Sequence, residues 1–173
     1  MRLALAIALL AVALPTAAEH RCAGAGAPSI PNPRFADNGD GTVTDLDSRL
    51  MWTRCSAGQQ WSANRCVGAP SSLDWTAARN LATEVNKRGT YFFSDWRLPQ
   101  LRELATLVDR ECRDPRVDLA VFPGTPAEFY WTASPRAGEA SRASVYALSF
   151  GAAGVQAMPR GEANHVRLVR DAR

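Results

Sequence analysis

Apolar positions recur at helical spacing in two stretches and at alternating spacing in several shorter ones. In Tyr91–Asp109 an aromatic cluster runs into Trp96-Arg97-Leu98-Pro99, and Leu101, Leu104, Ala105, Leu107 and Val108 follow as one stripe. Proline suits the first helical position because its missing N–H costs nothing there and its φ is already helical. The pattern therefore predicts a helix starting at Pro99 beside a buried Trp96. A second helix is predicted over Ser71–Asn86, with Trp75, Ala78, Leu81, Ala82 and Val85 on one face, Asp74 as cap and Gly89 as stop.

The rest of the pattern reads as strands and turns. Asp40-Gly41 within Phe35–Asp45 is a hairpin signal. Leu50–Cys55, Phe129–Ser134, Ser144–Phe150 and Val155–Met158 read as strands. In the third of these, Tyr146, Leu148 and Phe150 share a face. His165–Asp171 alternates, with Val166 and Leu168 on one side and His165 and Arg167 on the other. Val117–Pro126 is an irregular loop whose Leu119, Val121 and Phe122 are expected to plug the core, and Pro135–Arg142 and Pro159–Asn164 are expected to be exposed loops. Trp52, Trp75, Trp96 and Trp131 sit in helix or strand contexts and are assigned to the core. Helices early and antiparallel strands late define an α+β domain.

Length and cysteine content narrow the class. At 173 residues the chain allows one domain with a tail. Residues 1–18 read as an export signal: Arg2 is the charged start, Leu3–Leu14 is an apolar run too short to span a bilayer, and Thr16-Ala17-Ala18 offers a cleavage site. Glu19, His20 and Arg21 before Cys22 do not suit lipid attachment. Residues 19–33 then form an extended arm and 34–173 the folded domain, with periplasmic or extracellular localisation and no membrane insertion after cleavage. Four cysteines in such a compartment are expected to pair. Sequence proximity suggests Cys55–Cys66, which leaves Cys22–Cys112, one of three connectivities that four cysteines permit.

Charge and chemistry add less. Of 20 basic residues 19 are arginine, which either a GC-rich genome's codon usage or an anion-binding face would produce. A net charge of +3 is too small to argue for nucleic acid. A calcium-loop reading of the hairpin fails at Ala36, which has no ligand oxygen where the first ligand should be. There is no C-x-x-C, and only His20 and His165 are present, so no metal site, cofactor or catalytic residue is assigned. Trp61 differs from the other tryptophans because it lies inside the Cys55–Cys66 loop among Gln59, Gln60, Ser62 and Asn64, where it can stack on a sugar or a partner. Candidate ligand contacts are Trp61 with Arg54 and Arg65 nearby, and the loop arginines Arg136, Arg142 and Arg160.

Several segments in this order carry a family resemblance: FADNGDGTVTD, LMWTRC with GQQW, DWTAA, SDWRLP with LREL, FPGTP, YWTASP and VRLVR. Over about residues 34–171 the chain resembles the C-terminal domain family of the Legionella collagen-like adhesin. That resemblance implies a C-type-lectin-like fold, with two helices on a small twisted antiparallel sheet, long loops and neighbouring termini. It also implies a non-catalytic binding module for anionic glycans such as sulfated glycosaminoglycans. It transfers no binding residue, because the matching motifs are core and turn residues. The adhesin's collagen-like stalk is absent, so the oligomeric state is not implied. Neither the Glu-Pro-Asn or Gln-Pro-Asp type loops of calcium-dependent lectins nor the cysteine pair of the related formylglycine-generating enzymes occurs. The alternative reading is a structural or assembly subunit of a surface complex that acts through protein contacts.

Overall fold

A computed structural model describes residues 21–22, 33–138 and 143–172. The expected signal peptide and most of the expected arm lie outside these residues. The elements are β1 (Arg21–Cys22), β2 (Phe35–Asp37), β3 (Thr42–Asp45), β4 (Leu50–Thr53), β5 (Gln60–Ser62), β6 (Arg65–Val67), α1 (Trp75–Arg88), α2 (Leu101–Ala105), β7 (Cys112–Arg113), β8 (Phe129–Pro135), β9 (Ser144–Ser149), β10 (Val155–Pro159) and β11 (Val169–Asp171). All strand ladders are antiparallel. One sheet has the order β11-β4-β3-β2 and another β10-β9-β8, and β5-β6 and β1-β7 form two-stranded pairs. The α+β reading is correct.

Strand alternation explains how the core is divided. Tyr130, Leu148 and Phe150 pack in one cluster with Trp52, Leu104, Leu107, Val117 and Phe122. Their strand neighbours Trp131, Val145 and Ala147 pack in another with Ala78 and Ala82 of α1 and with Trp96, Leu98, Val166 and Leu168. Strands β8 and β9 are therefore buried on both faces, with α1 covering one of them, while the edge strand β10 stays largely exposed. Each large side chain enclosed in this way contributes about 1.5–3 kcal/mol of apolar transfer energy.

Helix α1 begins later than the apolar pattern suggests. Leu73 exchanges backbone hydrogen bonds with Asn164 at 2.9 and 3.0 Å, so the residues before Asp74 are held extended. Asp74 then caps the helix, its carboxylate accepting from the Ala77 N–H at 2.8 Å, and Gly89 ends it in the left-handed region at φ 63°. The predicted helix at Pro99 is shorter than its stripe. It starts after Gln100, whose N–H donates to the Glu103 carboxylate at 2.6 Å, while Ser134 Oγ receives the Leu101 N–H at 2.9 Å. Pro99 precedes this cap, and its carbonyl accepts from Ala133. Leu104 and Leu107 are buried as expected, but Ala105 is exposed.

The two most distinctive sequence motifs meet in space. Arg97 and Val169 exchange backbone hydrogen bonds at 2.9 and 3.0 Å. Asp95 pairs with Arg170 at 2.6 Å, and Arg97 bridges Glu103 at 2.7 Å and Asp171 at 3.2 Å. SDWRLP and VRLVR are thus joined by both backbone hydrogen bonds and ion pairs. The terminal strand is shorter than expected because His165 leaves its line to pair with Tyr130 of β8. The expected alternation holds over 165–168, but both sides are buried and Arg167 is 1% exposed.

Candidate functional site

Helix α1 carries an open groove along its solvent side. Thr76, Arg79, Asn80 and Thr83 recur at one-turn spacing along one wall, and Trp96, Arg97 and Gln100 form the other. The groove encloses about 550 Å³, in the range of small-ligand sites, and among the described residues no carboxylate lines it. Not every polar group in it is available. Asn86 is committed at both ends of its amide, donating to the Trp96 carbonyl at 2.8 Å and accepting from the Trp96 N–H at 2.7 Å. The Glu103 hydrogen bond and then the carboxylate charges raise the pKa of Arg97, fixing that guanidinium in an ion pair.

The lip of the groove is set by the start of the helix. Trp75 is the first residue of α1, its indole N–H donates to the Thr132 carbonyl at 3.0 Å, and its backbone N–H donates to the Arg160 carbonyl at 2.9 Å. The ring is thereby fixed and the 160 loop is tied beside it. One turn on, the Arg79 guanidinium lies 4.9 Å from the ring centroid, and Arg160 lies at 4.3 Å. Arg79 is exposed and makes no ion pair among the described residues. Stacking orients the Arg79 guanidinium without consuming its in-plane N–H groups, which remain able to grip an oxyanion bidentately.

The sequence-derived candidates divide. Arg160 belongs to this lip. Arg54, expected at the surface, is 8% exposed: its guanidinium donates to the Val121 and Ala120 carbonyls at 2.9 and 2.8 Å and pairs with Asp37 at 2.6 Å. It is a structural cation, and its acceptors lie too far along the chain to be read locally. It also covers the Trp61 ring at 4.2 Å, so Trp61 is half-buried and is not a free platform. Arg65 is exposed on β6 opposite Ser62, and Arg136 is exposed after β8. Arg142 lies outside the described residues. Trp75, assigned to the core, is half-buried on the groove lip. The Trp75-x-x-x-Arg79 spacing, which brings a ring and a cation onto one helical face, was the available signal for this pair.

The ring closed by Cys55–Cys66 is present, with an S–S distance of 2.12 Å. Inside it the β5–β6 hairpin turns at Ala63 and Asn64, both with positive φ, as a two-residue hairpin turn requires. Cys112 is disulfide-bonded, and the backbone of Cys22 pairs opposite it. The Cys22 side chain, and with it the expected Cys22–Cys112 bond, lies outside the described residues. His165 packs against Tyr130 with ring centroids 5.4 Å apart, and its Nδ1 is 3.0 Å from the Ser71 carbonyl. No described helix is long and apolar enough to cross a membrane.

The profile of the Lcl C-terminal domain family matches residues 41–170, a span that includes the whole groove lining and the disulfide-closed loop. No curated protein matches the chain.

Proposed function

The chain belongs to the Lcl C-terminal domain family, and on that premise we propose that it is an exported, non-catalytic binding module that holds an anionic glycan along the α1 groove. The observation that carries this reading is the Trp75 ring with the Arg79 guanidinium stacked on it, at the mouth of a groove that no carboxylate lines among the described residues. The Arg79 guanidinium, held in a fixed frame on the Trp75 ring, suits a sulfate or carboxylate group, and the hydroxyl and amide groups of Thr76, Asn80 and Thr83 suit the sugar beside it. Export is supported by the disulfide bonds, which persist outside the cytoplasm. The C-type-lectin-like arrangement is part of the same proposal, supported by a small antiparallel sheet with a helix on its face and the closing strand tied to the Trp96–Pro99 segment.

The test is retention of the oxidised protein on immobilised heparin at two chloride concentrations. Binding through exposed cations is expected to weaken steeply with salt. Salt-insensitive retention, or none, would contradict the proposal. The second reading, an assembly subunit, draws on Phe92, which is 89% exposed. Its expected outcome is capture of a specific protein partner together with flow-through on heparin.

A further inference from the structure

A second cleft, of about 460 Å³, opens between the disulfide-closed loop and the last turns of α1. Its apolar part is made by Leu81 and Val85 of the helix with Val166 and Leu168 of the terminal segment. Trp61 and Tyr91 provide aromatic walls, and Asp40 and Arg88 bring opposite charges to the same cleft. Those charges are not spent on each other or on any other ion pair among the described residues. Asp40 uses one carboxylate oxygen, which accepts from the Thr42 N–H at 2.9 Å and the Thr42 hydroxyl at 2.6 Å. The Trp61 indole N–H and the Tyr91 hydroxyl make no hydrogen bond among the described residues.

The walls are held there at a cost. Tyr91 adopts φ 59° and ψ 26°, and Phe92 follows at φ 62°. Left-handed backbone at a bulky residue costs about 1–2 kcal/mol and concentrates at functional positions. Gly41 is required for a different reason. A Cβ at that position would fall 2.6 Å from Trp61 Cβ, so only glycine allows the indole to close this side of the cleft. Burial, with the Asp40 charge adding to it, raises the Tyr91 hydroxyl above its ordinary pKa of 10.0, so at neutral pH it is a hydrogen-bond donor.

We propose that this cleft binds a zwitterionic amino-acid-type ligand with a large apolar side chain, free or as a short peptide. Asp40 takes the ammonium, Arg88 and the Tyr91 hydroxyl take the carboxylate, and the side chain lies on the aliphatic floor between the aromatic walls. Gln59, Gln60 and Thr90 also line the cleft, but a polyhydroxylated sugar seated on the floor of Leu81, Val85, Val166 and Leu168 would find no hydrogen-bond partner there, which costs affinity. A polyanion would meet the Asp40 carboxylate. The proposal does not rest on the α1 groove, and heparin retention neither supports nor weakens it.

The experiment titrates the oxidised protein with L-phenylalanine, the dipeptide Leu-Phe, N-acetyl-phenylalanine amide and glucose, followed by calorimetry and tryptophan fluorescence. Saturable binding of phenylalanine or the dipeptide is expected, with the blocked compound about tenfold weaker because both charge contacts are lost. Asp40→Asn and Arg88→Gln are each expected to weaken binding about tenfold while thermal unfolding midpoints confirm that the variants remain folded. A tighter dipeptide marks a peptide as the source of the ligand, and a tighter phenylalanine marks the free amino acid. Equal binding of blocked and unblocked compounds, binding unchanged in both variants, preference for glucose, or no saturation by about 10 mM of either zwitterion would overturn the proposal.

Discussion

Arg167 and Arg79 make the same contact and are suited to opposite tasks. Arg167 lies 4.5 Å from the Phe122 ring centroid, and Arg79 lies 4.9 Å from that of Trp75. Around Arg167 the guanidinium is enclosed: it donates to the Thr53 carbonyl at 3.0 Å, the Arg54 carbonyl at 2.6 Å and the Thr125 hydroxyl at 2.7 Å, with no carboxylate partner among the described residues. Around Arg79 the ring is the only partner among the described residues. Cation–π stacking therefore does not mark a binding site by itself. What separates the two is how many N–H groups the fold has already taken, and burial decides that. Arg167 joins the 125 loop to the 53–56 segment, whereas Arg79 faces solvent with its donors unspent.

Removing each cation should expose that difference. Arg167→Ala leaves two carbonyls and two hydroxyls without their donor and opens a void against Phe122 and Tyr130. A loss of about 3–5 kcal/mol is expected, read as a large fall in the urea midpoint. If Arg167→Ala unfolds at the wild-type midpoint, the buried cation is not structural and the comparison fails.

The disulfide-closed loop begins beside the acceptors that hold Arg167, since the Arg54 carbonyl and Ser56 Oγ flank Cys55. Replacing Cys55 and Cys66 with alanine should cost about 2–3 kcal/mol by releasing an 11-residue separation in the unfolded chain. A loss well under that range would show that the loop is held by its packing alone.

Carboxylate-paired arginines provide a third contrast. Burial alone would raise the Asp45 pKa, but the Arg34 and Ser48 hydrogen bonds and the Arg34 charge outweigh it and the net shift is downward. For Glu103, burial is likewise outweighed by the Arg97 and Gln100 hydrogen bonds and the Arg97 and Arg102 charges. Both groups hold a folded-state pKa below the unfolded one, so their stabilisation is complete above about pH 4–5 and is lost as the pH falls through the folded value. The urea midpoint should therefore drop below about pH 4, with a slope of at most about 1.4 kcal/mol per pH unit for each group. Asp45→Asn should flatten that slope. An unchanged slope would remove Asp45 from the account.

Much of the frame was legible from the sequence because it is set locally. The Asp74 cap, the Gly89 stop and the Asp40-Gly41 turn each depend on a few neighbouring residues. The alternation of Val166 and Leu168 against His165 and Arg167 was also legible. What could not be read was that Tyr130, Phe122 and Thr125 arrive from distant segments to enclose the polar side as well. Arg54 was misread for the same reason, since its acceptors Ala120 and Val121 are contributed by the core-plugging loop. The short α2 was hidden by a stripe that continues past Ala105, because Leu107 stays buried after the helix ends. Trp75 looked like a core residue because it shares the apolar face of α1. Only its place at the first helical turn, where the Arg160 loop meets it, turns it into the groove lip.

The central claim is that exposed arginines act by where they are held and not by their number. Its most direct measurement compares the chloride concentration that elutes wild type, Arg79→Gln and Arg65→Gln from heparin. The two variants lose the same charge, both from exposed positions, so neither should change stability by more than about 0.5 kcal/mol. Arg79→Gln is expected to elute at clearly lower salt than Arg65→Gln, which should stay close to wild type. Equal shifts for the two variants would mean that net charge alone governs binding, and would contradict the site.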